Sequence, residues 1–219
     1  MNRPFVQSSC ENDALLDTLF GDLPIDRWPP LDPSTNGYPW DVFIEARTHL
    51  TRGAAGDAKR CWQDIVAYPG LESRHYLQAW HFLREYGDAP ASEAAKQVLG
   101  VVVEVNLPEG LDVLATYADG SLRYYNHAGG GTVLDEARGP LGERVAALLA
   151  AASEVVLQIG PWEGARPGPP APDYARLSFL TPSGLHFGEG PLDVLEADPV
   201  AGPTLGIAAA VVAELAHVA

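Results

Sequence analysis

Three polar residues in the last quarter of the chain form the best candidate for chemistry in this sequence. Arg176 and Ser178 alternate with apolar residues in one strand-like run, and His186 lies between two apolar residues in the next run. If the apolar residues face a core, the three polar side chains share the opposite face, near Tyr125 and His127 from an earlier strand-like run. A histidine beside an arginine and a hydroxyl could transfer protons or bind a small ligand.

This group needs a carboxylate before it could act as acid–base machinery. Glu104 and Glu189 are candidates to supply it. A sheet face that is solvated, or covered by a helix, explains the same alternation without chemistry, and we favour that interpretation. We assign no catalytic residue. The candidate binding residues are Tyr125, His127, Arg176, Ser178 and His186.

Other motifs that could hold an ion have ordinary structural explanations. The glycine-rich run 126–131 lacks the lysine and hydroxyl of a phosphate-binding loop and is typical of a hairpin turn. Glu72 and His75 have the spacing of a metal-binding pair on a helix, but two residues cannot complete a site. Cys10 and Cys61 are the only cysteines and indicate neither a disulfide framework nor a cysteine zinc site. We expect Cys61 to be a core residue, and we expect no metal and no cofactor.

Composition and charge restrict the class of protein and its partners. The chain has 219 residues, 47% hydrophobic and 20% charged, which excludes a disordered or collagen-like protein. The formal net charge is −15, and residues 101–219 contribute −10 of it, from 5 Arg and 15 acidic residues. Such a field disfavours nucleic acids and anionic membranes and favours a basic protein partner. Scattered acids that only keep the surface soluble are the simpler explanation.

The elements that would position these residues change in type along the chain. Residues 1–39 predict one short helix over 12–20 and then an extended, proline-rich segment lying on the rest of the protein. From 40 to 99, apolar residues recur with the period of a helix. They predict four helices, around 42–50, 58–66, 76–83 and 94–99.

Within residues 40–99 two units match each other. Their glycines are 34 residues apart, and a two-residue insertion separates the matched positions that follow. The matched pairs are Gly53 with Gly87, Ala46 with Trp80, Ala58 with Ala94, and Trp62 with Val98. This pattern resembles two tetratricopeptide-type (TPR-like) helical hairpins, which implies a surface that holds a peptide or packs on the rest of the chain. An ordinary bundle of helices covering a sheet is the alternative.

After Gly100, β-rich runs separated by turn signals predict an antiparallel meander followed by a mixed segment. The predicted strands are 101–106, 112–117, 122–127, 132–135 and 155–159, with a hairpin of 174–181 and 185–190 about Pro182-Ser183-Gly184. Helices are predicted over 141–152 and 203–217, and the second is apolar on more than one side, as in a core helix or a homodimer contact. By element order alone, this half is similar to the profilin, longin and roadblock group of adaptor folds.

The sequence therefore predicts an α+β protein: an N-terminal segment (1–39), a helical region of hairpin repeats (40–99), and a mainly antiparallel sheet flanked by helices (100–219). No apolar stretch is long enough to span a bilayer, and residues 1–10 have neither a basic start nor an apolar signal core, so we expect a cytoplasmic protein. The expected function is that of a non-catalytic adaptor with a basic partner, an immunity-type inhibitor being a special case. The alternative is an enzyme or small-ligand sensor that uses the polar sheet face.

Overall fold

The computed structural model describes residues 9–27 and 37–218. Helices precede a six-stranded antiparallel sheet in this part of the chain, so the α+β prediction is confirmed. The helices are α1 (Ser9–Phe20), α2 (Trp40–Thr51), α3 (Ala55–Ala67), α4 (Ser73–Glu85), α5 (Ser92–Ala95), α6 (Gly139–Val156), α7 (Leu192–Ala197) and α8 (Ala201–Val218). The strands are β1 (Gly100–Leu107), β2 (Gly110–Tyr117), β3 (Leu122–Tyr125), β4 (Gly131–Leu134), β5 (Tyr174–Thr181) and β6 (Gly184–Pro191).

The sheet has the order β4-β3-β2-β1-β5-β6. The predicted meander supplies its first four strands, and the predicted hairpin of β5 and β6 pairs with β1 on the other side. The predicted change of structure near Gly100 is confirmed, because β1 begins at that residue.

Helices α6 and α8 cover one face of the sheet with an apolar layer. The buried positions of α6 are three or four residues apart and meet Val101, Leu122 and Phe179 of the sheet. They are Leu141, Val145, Leu148, Ala152 and Val156. The strand predicted at 155–159 is wrong: Val156 continues this helical spacing into the core, whereas Leu157 is 63% exposed.

Helices α1 and α4 cover the other face. Leu19 and Phe20 of α1 and Leu77 of α4 pack with Val102 and Tyr117 of the sheet, so the helical and β-rich halves share a core. Tyr117 donates a hydrogen bond from its hydroxyl to the backbone oxygen of Leu19 at 2.7 Å. A further cluster joins α2, α3 and α4 through Phe43, Trp62 and Phe82.

The helices predicted around 42–50, 58–66 and 76–83 are confirmed, whereas the fourth is wrong. Helix α5 ends at Ala95, and the apolar Val98 and Leu99 are buried as the chain enters β1 rather than on a helix face. The short N-terminal helix is confirmed as α1, and part of the predicted proline-rich segment, 28–36, lies outside the described residues. The resemblance to tetratricopeptide hairpins stays a prediction.

Helix α8 uses one face in the core, where Leu205, Ala208, Val211 and Leu215 are buried against α6 and the sheet. A homodimer through its remaining surface stays a prediction. Among the described residues, no helix is long and apolar enough to cross a membrane.

Candidate functional site

The turn between β5 and β6 decides which predicted site residues lie together. Thr181 pairs with Gly184, so the turn has two residues, and Phe179 lies opposite His186. Arg176 and Ser178 therefore face α1 and α4, whereas His186 faces α6 and α8. The predicted shared face is wrong, because shortening the turn by one residue moves every β6 side chain to the other side of the sheet.

His186 is fully buried, and its surroundings are those of a structural residue rather than of a site open to solvent. Its Nε2 lies 3.2 Å from Ser183 Oγ, while its Nδ1 has no hydrogen-bond partner within the described structure. Burial lowers the pKa of His186, the charge of Lys96 adds to this effect, and nearby backbone groups of Ile159 and Gly160 oppose it. A neutral, enclosed imidazole of this kind cannot exchange protons with a substrate at the surface.

Arg176 is at the centre of a buried ion-pair network on the α1 face. Its Nε donates to Glu189 Oε2 at 2.7 Å, and its Nη1 lies 3.3 Å from Glu104 Oε2 and 3.3 Å from the backbone oxygen of Pro167. Burial raises the pKa of Glu104, although the positive charge of Arg176 opposes that shift. Both carboxylates proposed as acid–base partners are therefore engaged in holding Arg176, under the loop that contains Pro167.

The remaining candidates are distributed rather than convergent. Tyr125 is on the same face as Arg176, but β2 and β1 lie between their strands. Ser178 is buried, and its hydroxyl has no partner among the described atoms. His127 lies beyond the end of β3, where its Nδ1 is 2.9 Å and its backbone nitrogen 2.8 Å from Asp112 Oδ1. The five predicted residues do not line one pocket.

Asp112 organises a small polar cluster around His127. Its second oxygen accepts a hydrogen bond from Tyr124 Oη at 2.8 Å. Burial alone would raise the pKa of Asp112, but the hydrogen bonds from His127 and Tyr124 outweigh it and lower that pKa. The cluster fixes the turn between β3 and β4, and it contains no hydroxyl or thiol nucleophile activated by the imidazole.

A cleft of about 780 Å³ separates the helical half from the β5–β6 turn. Trp162 forms one wall: its indole packs edge-on against Phe187 with ring centroids 5.3 Å apart, and its backbone nitrogen donates to Leu185 oxygen at 2.6 Å. Arg84 forms another wall and donates to Pro182 oxygen at 2.8 Å. Arg166, also in the lining, is already paired with Asp17 and Asp22.

An exposed group of aromatic side chains lies where α2 begins, α3 ends and α4 begins. We call it the aromatic corner and define it as Tyr38, Trp40 and Tyr68, which are 40%, 43% and 52% exposed. The rings of Tyr38 and Tyr68 are 4.5 Å apart, and Trp40 packs edge-on against His75 at 5.1 Å. The pKa of Tyr38 is raised by burial first, then by Tyr68, Asp64 and Asp41, so two carboxylates lie beside the rings.

Side chains of three types that commonly bind metals come together towards the other end of the α2–α3 hairpin. The ligand atoms of Glu45, His49 and Cys61 all lie within 4.8 Å of one another. Burial, followed by the charges of Glu45, Asp64 and Asp57, raises the pKa of Cys61 to about 11. The sequence contained a usable signal: two i, i+4 pairs, Glu45/His49 and Asp57/Cys61, on helices joined by a short turn.

No family model, curated protein or solved structure matches this chain.

Proposed function

We propose that this protein is a non-catalytic, cytoplasmic adaptor that binds a basic protein through the aromatic corner. The observation that carries this proposal is the exposure of Tyr38, Trp40 and Tyr68 where α2 begins and α3 ends. Tyrosine and tryptophan are the residue types that dominate binding energy at protein interfaces, because they bury a large area at a small cost in side-chain entropy.

The charge of the surroundings favours a basic partner. Asp41 and Asp64 lie beside the corner, and the whole chain carries a formal charge of −15. A partner rich in lysine and arginine would be attracted before contact, and its cations could stack on the exposed rings. Inhibition of a basic toxin-like protein, as by an immunity protein, is one form that this function could take.

The arrangement of the sheet favours this proposal over an enzyme or sensor that uses the predicted polar face. An enzyme or sensor using the predicted polar face would need Arg176, Ser178 and His186 around an open pocket. Instead, all three are buried, and His186 lies on the opposite face from the other two.

Affinity capture on the full chain tests the proposal, with Trp162→Ala as the matched control. Trp162 is 49% exposed, close to the exposure of Trp40, but lies in the cleft rather than the aromatic corner. We expect Trp40→Ala and Tyr68→Ala to weaken binding of a purified captured partner by tenfold or more, corresponding to about 1.4 kcal/mol. Trp162→Ala should leave binding unchanged, and higher salt should weaken it. Equal losses in all three variants, or an acidic partner, would contradict the proposal.

The cleft favours a second candidate function, binding of a small organic anion. Arg84 is the observation behind it, because within the described residues its guanidinium forms no salt bridge and donates a hydrogen bond to the backbone oxygen of Pro182. Thermal-shift measurements with small carboxylates and phosphate esters would test it. An anion that stabilises the native chain but not Arg84→Gln supports this function, with Arg144→Gln, outside the cleft, as the control.

A further inference from the structure

The hairpin of α2 and α3 brings together two pairs of side chains, each with i, i+4 spacing. Glu45 and His49 project from α2, and Asp57 and Cys61 project from α3. Side chains four residues apart lie on the same face of a helix, so two facing pairs can surround one point. Among residues 9–27 and 37–218, the only group of three or more potential metal ligands found close together is Glu45, His49 and Cys61.

We propose that Glu45, His49 and Cys61 form a binding site for a zinc-like divalent metal ion. The thiolate, imidazole and carboxylate they supply are the usual protein ligands of Zn²⁺. In a tetrahedral zinc site, neighbouring ligand atoms are roughly 3.3–3.8 Å apart, given metal–ligand distances of 2.0–2.3 Å. His49 Nε2 and Glu45 Oε1 are already 3.4 Å apart. The whole set, within 4.8 Å, needs only side-chain adjustments of about 1 Å to close.

Asp57 occupies the position of an orienting group behind the histidine. Its Oδ2 lies 3.9 Å from His49 Nδ1, the ring nitrogen that does not face Glu45. Metal-binding histidines characteristically donate their other ring N–H to a carboxylate, which fixes the tautomer and the ring plane. The other oxygen of Asp57 pairs with Arg60 on the same helix. Asp57 is therefore a positioning residue, while three protein ligands leave a fourth position for water or another group.

The location of the site would allow a bound metal ion to connect α2 with α3. His49 is in the last turn of α2, and Cys61 is about midway along α3, beside the buried Trp62. A metal held there would join the two helices near their connecting turn. This inference is independent of the proposed partner, because the aromatic corner lies at the opposite end of the same hairpin.

Titration of the metal-free, full-length chain with Co²⁺ alone tests the site. We expect one equivalent to bind with a thiolate-to-cobalt charge-transfer band and the visible spectrum of tetrahedral cobalt, and one equivalent of Zn²⁺ to remove both. Cys61→Ala should abolish the charge-transfer band, because it removes the thiolate. His49→Gln should abolish the tetrahedral spectrum. Each variant should weaken Co²⁺ binding by about a hundredfold. Asp57→Asn should weaken binding by about tenfold with the band retained.

The chain supplies a matched control for this experiment. His81 and Glu85 repeat the same i, i+4 histidine–carboxylate pair, with Nε2 and Oε1 3.5 Å apart, but no thiol belongs to that pair. His81→Gln and Cys10→Ser should bind Co²⁺ as the unaltered chain does. No charge-transfer band in the unaltered chain, a band that survives Cys61→Ala, or a loss caused by either control would overturn the proposal. If Cys61→Ala fails to fold by circular dichroism, the partly exposed His49→Gln decides between the same outcomes.

Discussion

The two faces of the sheet are both covered, but their interiors differ in chemistry. The face under α6 and α8 is an apolar layer with a few buried polar residues, among them His186 and Thr116. The face under α1 and α4 is apolar at one end and carries the network of Arg176, Glu104 and Glu189 at the other.

This difference suggests that one face mainly stabilises the fold, whereas the other mainly determines the register of the strands. An apolar layer is stabilised by the hydrophobic effect, whose free energy is roughly proportional to the buried apolar area and does not depend on the direction of the contacts. The ion pairs of Arg176 connect β1, β5 and β6, and a shift of β6 by one residue would move Glu189 to the opposite face. We infer that the apolar face supplies most of the stability and that the charged face selects the strand register.

Breaking the charged face should have the largest effect. Arg176→Met leaves the fully buried Glu104 carboxylate without its cation, and we expect a loss of about 3–5 kcal/mol in the free energy of unfolding. Urea denaturation measures it. The double variant Arg176→Met/Glu104→Met should recover most of the loss, because no buried charge then remains. Failure of the double variant to recover would show that Arg176 acts through packing alone.

The apolar face should respond to the loss of volume and not to the loss of charge. Leu148→Ala opens a cavity at a fully buried position of α6, and we expect a loss of about 2–5 kcal/mol that is the same at low and high salt. Leu157→Ala, just beyond the end of that helix, should change stability by less than about 0.5 kcal/mol. A salt-dependent loss in Leu148→Ala would contradict the division between the two faces.

The two faces should also respond to pH with opposite signs. Burial lowers the pKa of His186 in the folded chain. Below about pH 6.5 the unfolded chain therefore binds a proton more readily than the folded chain does, and the stability decreases as the pH falls. Burial raises the pKa of Glu104, so its contribution increases as the pH falls through its folded pKa towards the ordinary value of a glutamate.

Substitution at each position isolates these two contributions. His186→Leu should flatten the decline in stability between about pH 7 and 5, where histidine titrates. Glu104→Gln should remove the opposing acid-side contribution at lower pH. Urea midpoints measured across the range compare the two. An unchanged slope in His186→Leu would show that the other buried histidine groups, such as His75, account for it.

The smallest effect on stability is expected outside both faces. Tyr68 in the aromatic corner is 52% exposed, so Tyr68→Ala should cost about 1 kcal/mol or less by thermal or urea unfolding. A loss as large as that of Leu148→Ala would mean that the corner is part of the folding core and would weaken the case for a binding surface.

The sequence predicted the elements well, because periodicity and turn residues are local signals. The strand run of β1 and the helical spacing of α4 were both visible. Which face a strand presents was less accessible, since it depends on whether the turn after Thr181 has two residues or three. The same limit hid the meeting of His49 and Cys61, because it required the orientation of α2 against α3. Helix α7 was not predicted, since its six residues are too few to establish a period.

The backbone hydrogen bond from Trp162 to Leu185 also protects an edge of the sheet against pairing with strands of other copies of the chain. Strand β6 is at the edge of the sheet, and an open edge offers unpaired backbone groups to any passing strand. The segment around Trp162 lies against that edge, with its indole packed edge-on against Phe187 and its backbone nitrogen donating to Leu185 oxygen. It therefore occupies the position on the β6 edge where a strand of another copy could begin to pair.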